Sequence, residues 1–169
     1  MKIGNIDFSN IKKGATQIGK VLRGALIVWE NWVLKSTRTS IGSAGGSNFA
    51  NGEMVTWTVP DSYRVITLYC NATVTCHANI TNEEVSNGAL PAMVTAKIEG
   101  YDGSAWVTLA QSSTGYSQTQ GETVDRNCTY TFDPYNTVYT KFRFSSSGSS
   151  FKRTVTGYID NWYQKGETS

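Results

Sequence analysis

The 169-residue chain holds few side chains that do covalent chemistry. His77 is its single imidazole. A zinc centre needs several ligands and a hydrolytic triad needs a base–nucleophile pair. Neither can be assembled around one His, so His77 reads as a strand or surface residue. The 13 carboxylates are scattered. Glu83-Glu84, the closest pair, could join backbone carbonyls around calcium, but it reads as a solvated loop. A glycoside hydrolase needs two carboxylates converging in one cleft, and no spacing here indicates that. Gly-rich phosphate loops, nucleotide fingerprints and Cys-rich zinc patterns are absent. The chain is therefore read as non-enzymatic, with no cofactor and no metal.

Three cysteines cannot form a closed disulfide framework. Cys70 and Cys76, six residues apart, would lie about 20 Å apart on one extended strand. They could pair only across a turn, whereas Cys128 could meet either one across strands. The expectation is buried free thiols in a β-core.

Aromatic side chains are the more promising binding groups. The faces of exposed Trp and Tyr rings match the C–H face of a pyranose. Tyr101, Tyr116 and Tyr135 fall in or beside expected loops and are the candidate glycan-binding residues.

Elements must position these groups, and composition indicates which kind. Charged residues make up 17% of the chain, below the roughly 25% usual in globular domains. Ser, Thr, Asn and Gly fill the difference, and five Trp, nine Tyr and six Phe exclude a disordered chain. Thr, Val, Tyr and Trp favour pleated surfaces. The fold class expected is all-β, a small N-terminal β-hairpin module followed by an antiparallel β-sandwich of jelly-roll or discoidin-like type.

The charge is divided unevenly. Residues 1–38 carry seven basic and two acidic groups, a net +5, against eight basic and eleven acidic groups afterwards, a net −3. A basic segment on a slightly acidic body either meets an acidic surface or is a solvated face. Asp7, Lys12 and Lys13 interrupt the apolar run that a signal peptide needs. The longest apolar run, Ala25 to Trp29, is far too short to span a membrane, so no membrane insertion is expected.

Ile11-Lys12-Lys13-Gly14-Ala15-Thr16-Gln17-Ile18 is repeated ten residues later as Val21-Leu22-Arg23-Gly24-Ala25-Leu26-Ile27-Val28. Each unit reads as a tight hairpin turning at its glycine, and Ile3, Ile6 and Phe8 give a further strand. Ile11, Ala15, Ile18, Leu22, Ala25, Trp29 and Trp32 also fall at helical spacing. Gly14, Gly19 and Gly24 oppose that alternative, at about 1 kcal/mol each in a helix interior. Ile27, Val28, Trp29 and Trp32 are too apolar for a 35-residue module to hide alone. With Lys12, Lys13 and Arg23 they form the candidate attachment interface.

Three segments follow: an attachment module at 1–35, a Ser/Gly-rich linker at 36–52 and a sandwich at 53–169. In the last, Val55, Trp57 and Val59 share one parity. Arg64 to Leu68 and Val74 with Cys76 give two separate strands. Ala92, Val94, Ala96 and Ile98 alternate with polar partners. Asp102-Gly103-Ser104 marks a hairpin turn. Phe142 and Phe144 alternate with Lys141 and Arg143, and Val155 to Tyr163 closes the set.

The run Ile98-Glu99-Gly100-Tyr101-Asp102-Gly103-Ser104-Ala105-Trp106-Val107-Thr108-Leu109 resembles the central hairpin of discoidin-like, galactose-binding-like sandwiches. Tyr139 to Phe144 resembles a later strand of that fold. The resemblance implies a sandwich with Trp106 in its core and, more weakly, sugar binding. Lys20-Val21-Leu22-Arg23-Gly24-Ala25-Leu26-Ile27-Val28-Trp29-Glu30 resembles the short N-terminal modules of tailed-bacteriophage virion proteins. That resemblance implies a structural protein of the virion (tail tip, fibre or capsid decoration), with the N-terminus as anchor and the sandwich facing outward. The implied partners are other virion proteins, further copies of this chain in a large assembly and host-surface glycan. Nucleic acid is not expected as a partner. The alternative reading is a carbohydrate-binding module or adhesin outside any virion.

Overall fold

A computed structural model describes residues 2–3, 6–7, 12–13, 16–17, 20–23, 26–47, 53–75, 94–113, 123–147 and 152–166. Every regular element among them is a strand. The first six are β1 (Lys2–Ile3), β2 (Ile6–Asp7), β3 (Lys12–Lys13), β4 (Thr16–Gln17), β5 (Lys20–Arg23) and β6 (Leu26–Glu30). They pair as three antiparallel hairpins, β1 with β2, β3 with β4 and β5 with β6. The residues between the paired strands are Gly4-Asn5, Gly14-Ala15 and Gly24-Ala25. Gly-X is the pair that a two-residue hairpin connection prefers, because its first position takes a positive φ. The ten-residue repeat therefore starts one unit earlier than expected. Ile3 and Ile6 face each other across a hairpin instead of sharing one strand, and Phe8 lies outside the described residues.

The remaining strands are β7 (Trp32–Lys35), β8 (Thr39–Ser47), β9 (Glu53–Thr58), β10 (Tyr63–Thr75), β11 (Thr95–Tyr101), β12 (Trp106–Ser113), β13 (Thr123–Thr131), β14 (Lys141–Ser147) and β15 (Lys152–Lys165). They form two antiparallel sheets. One runs β13-β10-β15-β7, with β8 also paired to β15, and the other runs β12-β11-β14-β9. Four pairings nest inside one another: β8 with β15, β9 with β14, β10 with β13 and β11 with β12. The chain from β8 to β15 is thus one hairpin four strands deep. Rolling it into two layers adds the pairings of β10 with β15 and β11 with β14. This is jelly-roll topology, with β13 at one edge of the first sheet and β12 and β9 at the edges of the second.

The core lies between the layers. β14 sends Phe142 and Phe144 inward, and Leu68, Ile98, Val155 and Ile159 meet them, all essentially without exposure. Trp57 stacks on Phe142 at 6.3 Å between ring centroids. Two glycines make room for rings. A Cβ at Gly157 would lie 2.7 Å from the Phe144 ring, and one at Gly100 would lie 2.5 Å from Tyr139. On β15, Asn161 takes φ 45°, a conformation Asn tolerates better than most residues. It shifts the inward alternation by one, so Ile159 and Trp162 both face the core.

Three expectations are corrected here. Residues 36–52 contain the nine-residue strand β8 where a flexible linker was expected. Its small side chains are the reason it packs. Ile41 and Ala44 lie against the core, and Gly42 approaches Val55 so closely that a Cβ would sit 2.9 Å from it. Arg38 pins the preceding bend through Nε and Nη2 to Asp160 at 2.8 and 2.7 Å, with its guanidinium 4.0 Å above the Tyr69 ring. The expected boundary at residue 35 falls at the end of β7, a strand of the sandwich sheet that pairs with β15. The two strands expected from Arg64 to Cys76 are one, β10, through residue 75.

Candidate functional site

The β11–β12 hairpin builds the most chemically dense surface. Asp102 fixes its turn. Oδ1 accepts from Ser104 N, Ser104 Oγ and Ala105 N, each at 2.8 Å. These donors hold the Asp102 carboxyl below its ordinary range. Gly103 takes φ 104°, which favours glycine. The turn makes Tyr101 and Trp106 direct cross-strand partners. Their rings meet at 5.4 Å between centroids with a 50° tilt.

Alternation puts Ala96, Ile98 and Gly100 inward on β11, so Lys97, Glu99 and Tyr101 share the outer face of the four-stranded sheet. On β14 the same rule turns Lys141 and Arg143 outward. Register then aligns them in rows. Trp106, Tyr101, Lys141 and Thr58 make one row, and Thr108, Glu99, Arg143 and Thr56 make the next. Arg143 Nε donates to Glu99 Oε2 at 2.6 Å, and Lys97 Nζ lies 3.0 Å from Glu99 Oε1. The Arg143 guanidinium carbon sits 4.4 Å from the Trp106 ring centroid, and Lys141 Nζ lies 5.9 Å from that of Tyr101. Burial pushes the Glu99 carboxyl up, but the hydrogen bonds from Arg143 and Lys97 outweigh it, and the net shift is downward. Glu99 is therefore an ionised brace between two cations, not a proton donor. The face offers two half-exposed rings, a fixed guanidinium, the exposed ammonium of Lys141 and flanking Thr hydroxyls. It can stack on, and hydrogen-bond to, a ligand lying across the strands.

A second aromatic cluster sits where β7, β10 and β15 meet. The Arg64 guanidinium carbon lies 4.0 Å from the Trp32 ring centroid and 5.0 Å from that of Tyr135, and Nη1 donates to Tyr135 Oη at 3.2 Å. Tyr163 meets Tyr135 edge-on at 6.5 Å. Trp32 is thus held by the sandwich itself.

Of the sequence-derived glycan candidates, Tyr101 lies on the outer face and Tyr135 in this second cluster, and Tyr116 lies outside the described residues. Trp106, expected in the core, points outward beside Tyr101. The correction follows from register, since the partner of outward Tyr101 must share its face. The attachment residues Lys12 and Lys13 are on β3, Arg23 on β5, and Ile27, Val28 and Trp29 on β6; their side chains, like His77 and Glu83-Glu84, lie outside the described residues. Cys70 and Cys128 are register partners on β10 and β13, both buried as free thiols, and Cys76 lies outside the described set. Sequence reasoning did not single out Lys97, Glu99, Lys141 and Arg143 as a group. Their signal was present in the odd-numbered polar positions of β11 and β14, which pair with each other.

No family model matches the chain, and no curated protein matches it significantly. Solved structures match in fold. The cowpea mosaic virus top component is 8% identical with a TM-score of 0.46, covering 78% of this chain and 91% of that one. A CBM4 protein is 11% identical at 0.37, covering 80% and 78%. The CBM22-1 xylan-binding domain of Paenibacillus barcinonensis Xyn10C is 11% identical at 0.36, covering 83% and 88%. The class that the strand topology defines is the all-β, two-sheet sandwich of jelly-roll type. At these identities the likeness is one of fold alone.

Proposed function

We propose that the chain is a non-enzymatic structural protein of a tailed-bacteriophage virion, anchored by its N-terminal hairpins and displaying its jelly roll for adhesion to host-surface glycan. The observation that carries this reading is the tandem array of hairpins with Gly-X connections at a ten-residue period. The array, residues 1–30, carries a net +3 and leads into a sandwich, residues 31–169, of net −1. Short hairpins of two to five residues per strand bury too little to be stable alone, so they need a surface to complete them. Apolar Ile27, Val28 and Trp29, with Lys12, Lys13 and Arg23, suit an acidic neighbour in a large assembly. Adhesion falls to the outer face that Tyr101 and Trp106 dominate.

The same face also serves the alternative reading, a carbohydrate-binding module outside any particle. Mass spectrometry of gradient-purified particles separates the two. The proposal expects the chain in the particle at a fixed copy number, and recovery only from the soluble fraction contradicts it.

A further inference from the structure

Resting on the reading of the Tyr101–Trp106 face as an adhesive surface, we propose that this face takes an anionic saccharide, one bearing a carboxylate or phosphate beside a pyranose ring. The first argument is charge. The sandwich body, residues 31–169, carries a net −1, yet the described outer face gathers Lys97, Lys141 and Arg143 around the single carboxylate of Glu99, a local +2. Asp102 stands at the rim, with Oδ1 occupied by the donors of its own turn. A sheet face whose sign opposes that of its domain selects for negative ligands.

Donor geometry is the second argument. Arg143 spends Nε on Glu99, and among the described residues its Nη groups make no hydrogen bond. They form the planar fork that grips a carboxylate or phosphate through two parallel bonds. Glu99 and the Trp106 ring hold that fork in place, so little rotamer entropy remains to be lost on binding. Lys141 is exposed and makes no ion pair among the described residues, which leaves its ammonium free for the same anion.

The third argument selects a saccharide over other polyanions. Tyr101 and Trp106 supply an apolar platform for a ring face. The neighbouring positions Thr56, Thr58, Thr108, Gln111 and Ser145 offer uncharged hydroxyl and amide groups, which suit sugar hydroxyls. A nucleic acid brings one phosphate per nucleotide and calls for a longer cationic track. Beyond these rows the outward residues Thr95, Ser113 and Ser147 are neutral.

The test is a glycan array carrying neutral, uronate-bearing and glycerol-phosphate-bearing glycans, with single-stranded oligo-dT as a further spot. It is probed with the full chain and with the Lys141→Gln and Trp106→Ala variants. The proposal expects the anionic glycans to dominate. Lys141→Gln should weaken them about 3- to 10-fold, and raising NaCl from about 50 to 300 mM should weaken them as strongly, because exposed charges are screened. Trp106→Ala should weaken them at least about tenfold. Uronate against glycerol-phosphate signal identifies the source of the anion. Dominance of neutral glycans, still lost in Trp106→Ala, overturns the anionic preference but leaves the adhesive face standing. Glycan binding indifferent to Trp106→Ala overturns both. Capture of oligo-dT alone, or of nothing, overturns the inference. Lys141 is exposed at the start of β14, so its variant reports on binding with little risk to the fold.

Discussion

Glu99 shows how one residue orders a surface. Its side chain is 7% exposed, between cations that are 25% and 33% exposed, and it fixes both. Removing its charge leaves Arg143 and Lys97 uncompensated on a partly buried face. Glu99→Gln should therefore lower stability by about 1–3 kcal/mol, the range for orphaning a buried polar partner. The pH sign follows from its depressed pKa. A depressed carboxylate contributes stability above its unfolded-state value and loses it as pH falls through the folded value. The melting temperature of the native sequence should fall more steeply between about pH 5 and pH 3 than that of Glu99→Gln, and parallel curves would contradict the brace. The buried thiols give a second residue-scale prediction. Hydrogen bonding with Cys128 and burial push the Cys70 thiol up, and Cys128 Sγ donates to the Ala96 carbonyl at 3.4 Å. In a Cys76→Ser variant, Ellman's reagent should find no thiol in the native protein and two after unfolding. Rapid native modification would place these strands at the surface.

At the scale of elements, close approach decides what the small residues mean. Gly157 lies beneath the Phe144 ring, and Gly157→Ala should cost about 1–3 kcal/mol, the usual cost of overpacking. A chemical-denaturation midpoint unchanged by the substitution would show that the layers are looser than described. The same effect explains what could and could not be read from sequence. β11 and β14 were legible because apolar and polar residues alternate over Thr95–Glu99 and Lys141–Phe144, and the 98–109 hairpin was legible from Asp102-Gly103-Ser104. β8 was not. Gly42, Ala44, Gly45 and Gly46 look like linker composition, yet they let a strand lie against β15 and Val55. The likeness to the discoidin-like hairpin puts Trp106 in the core, whereas its face is set by the register of Tyr101. The Glu99 brace was hidden because β11 and β14 lie about forty residues apart, and only sheet order makes them neighbours.

The whole molecule joins an array of small hairpins to a rolled sandwich, and its charge divides at nearly the same place. The sandwich depends on its last strand, since β15 pairs with β7, β8 and β10. β7 and β8 must therefore stay with the body when the N-terminus is removed, and Gly166 N, which donates to Asn31 O at 2.8 Å, marks Asn31 as the first residue of that body. The account's central claim is that the hairpins anchor the chain and the roll does not. The direct measurement compares incorporation of the full chain with that of a chain lacking residues 1–30 into purified particles. Circular dichroism and melting should confirm that the shortened protein keeps its β-fold. The account predicts incorporation reduced to background, with a melting temperature within a few degrees of the full chain's. Undiminished incorporation of the folded, shortened chain would contradict it.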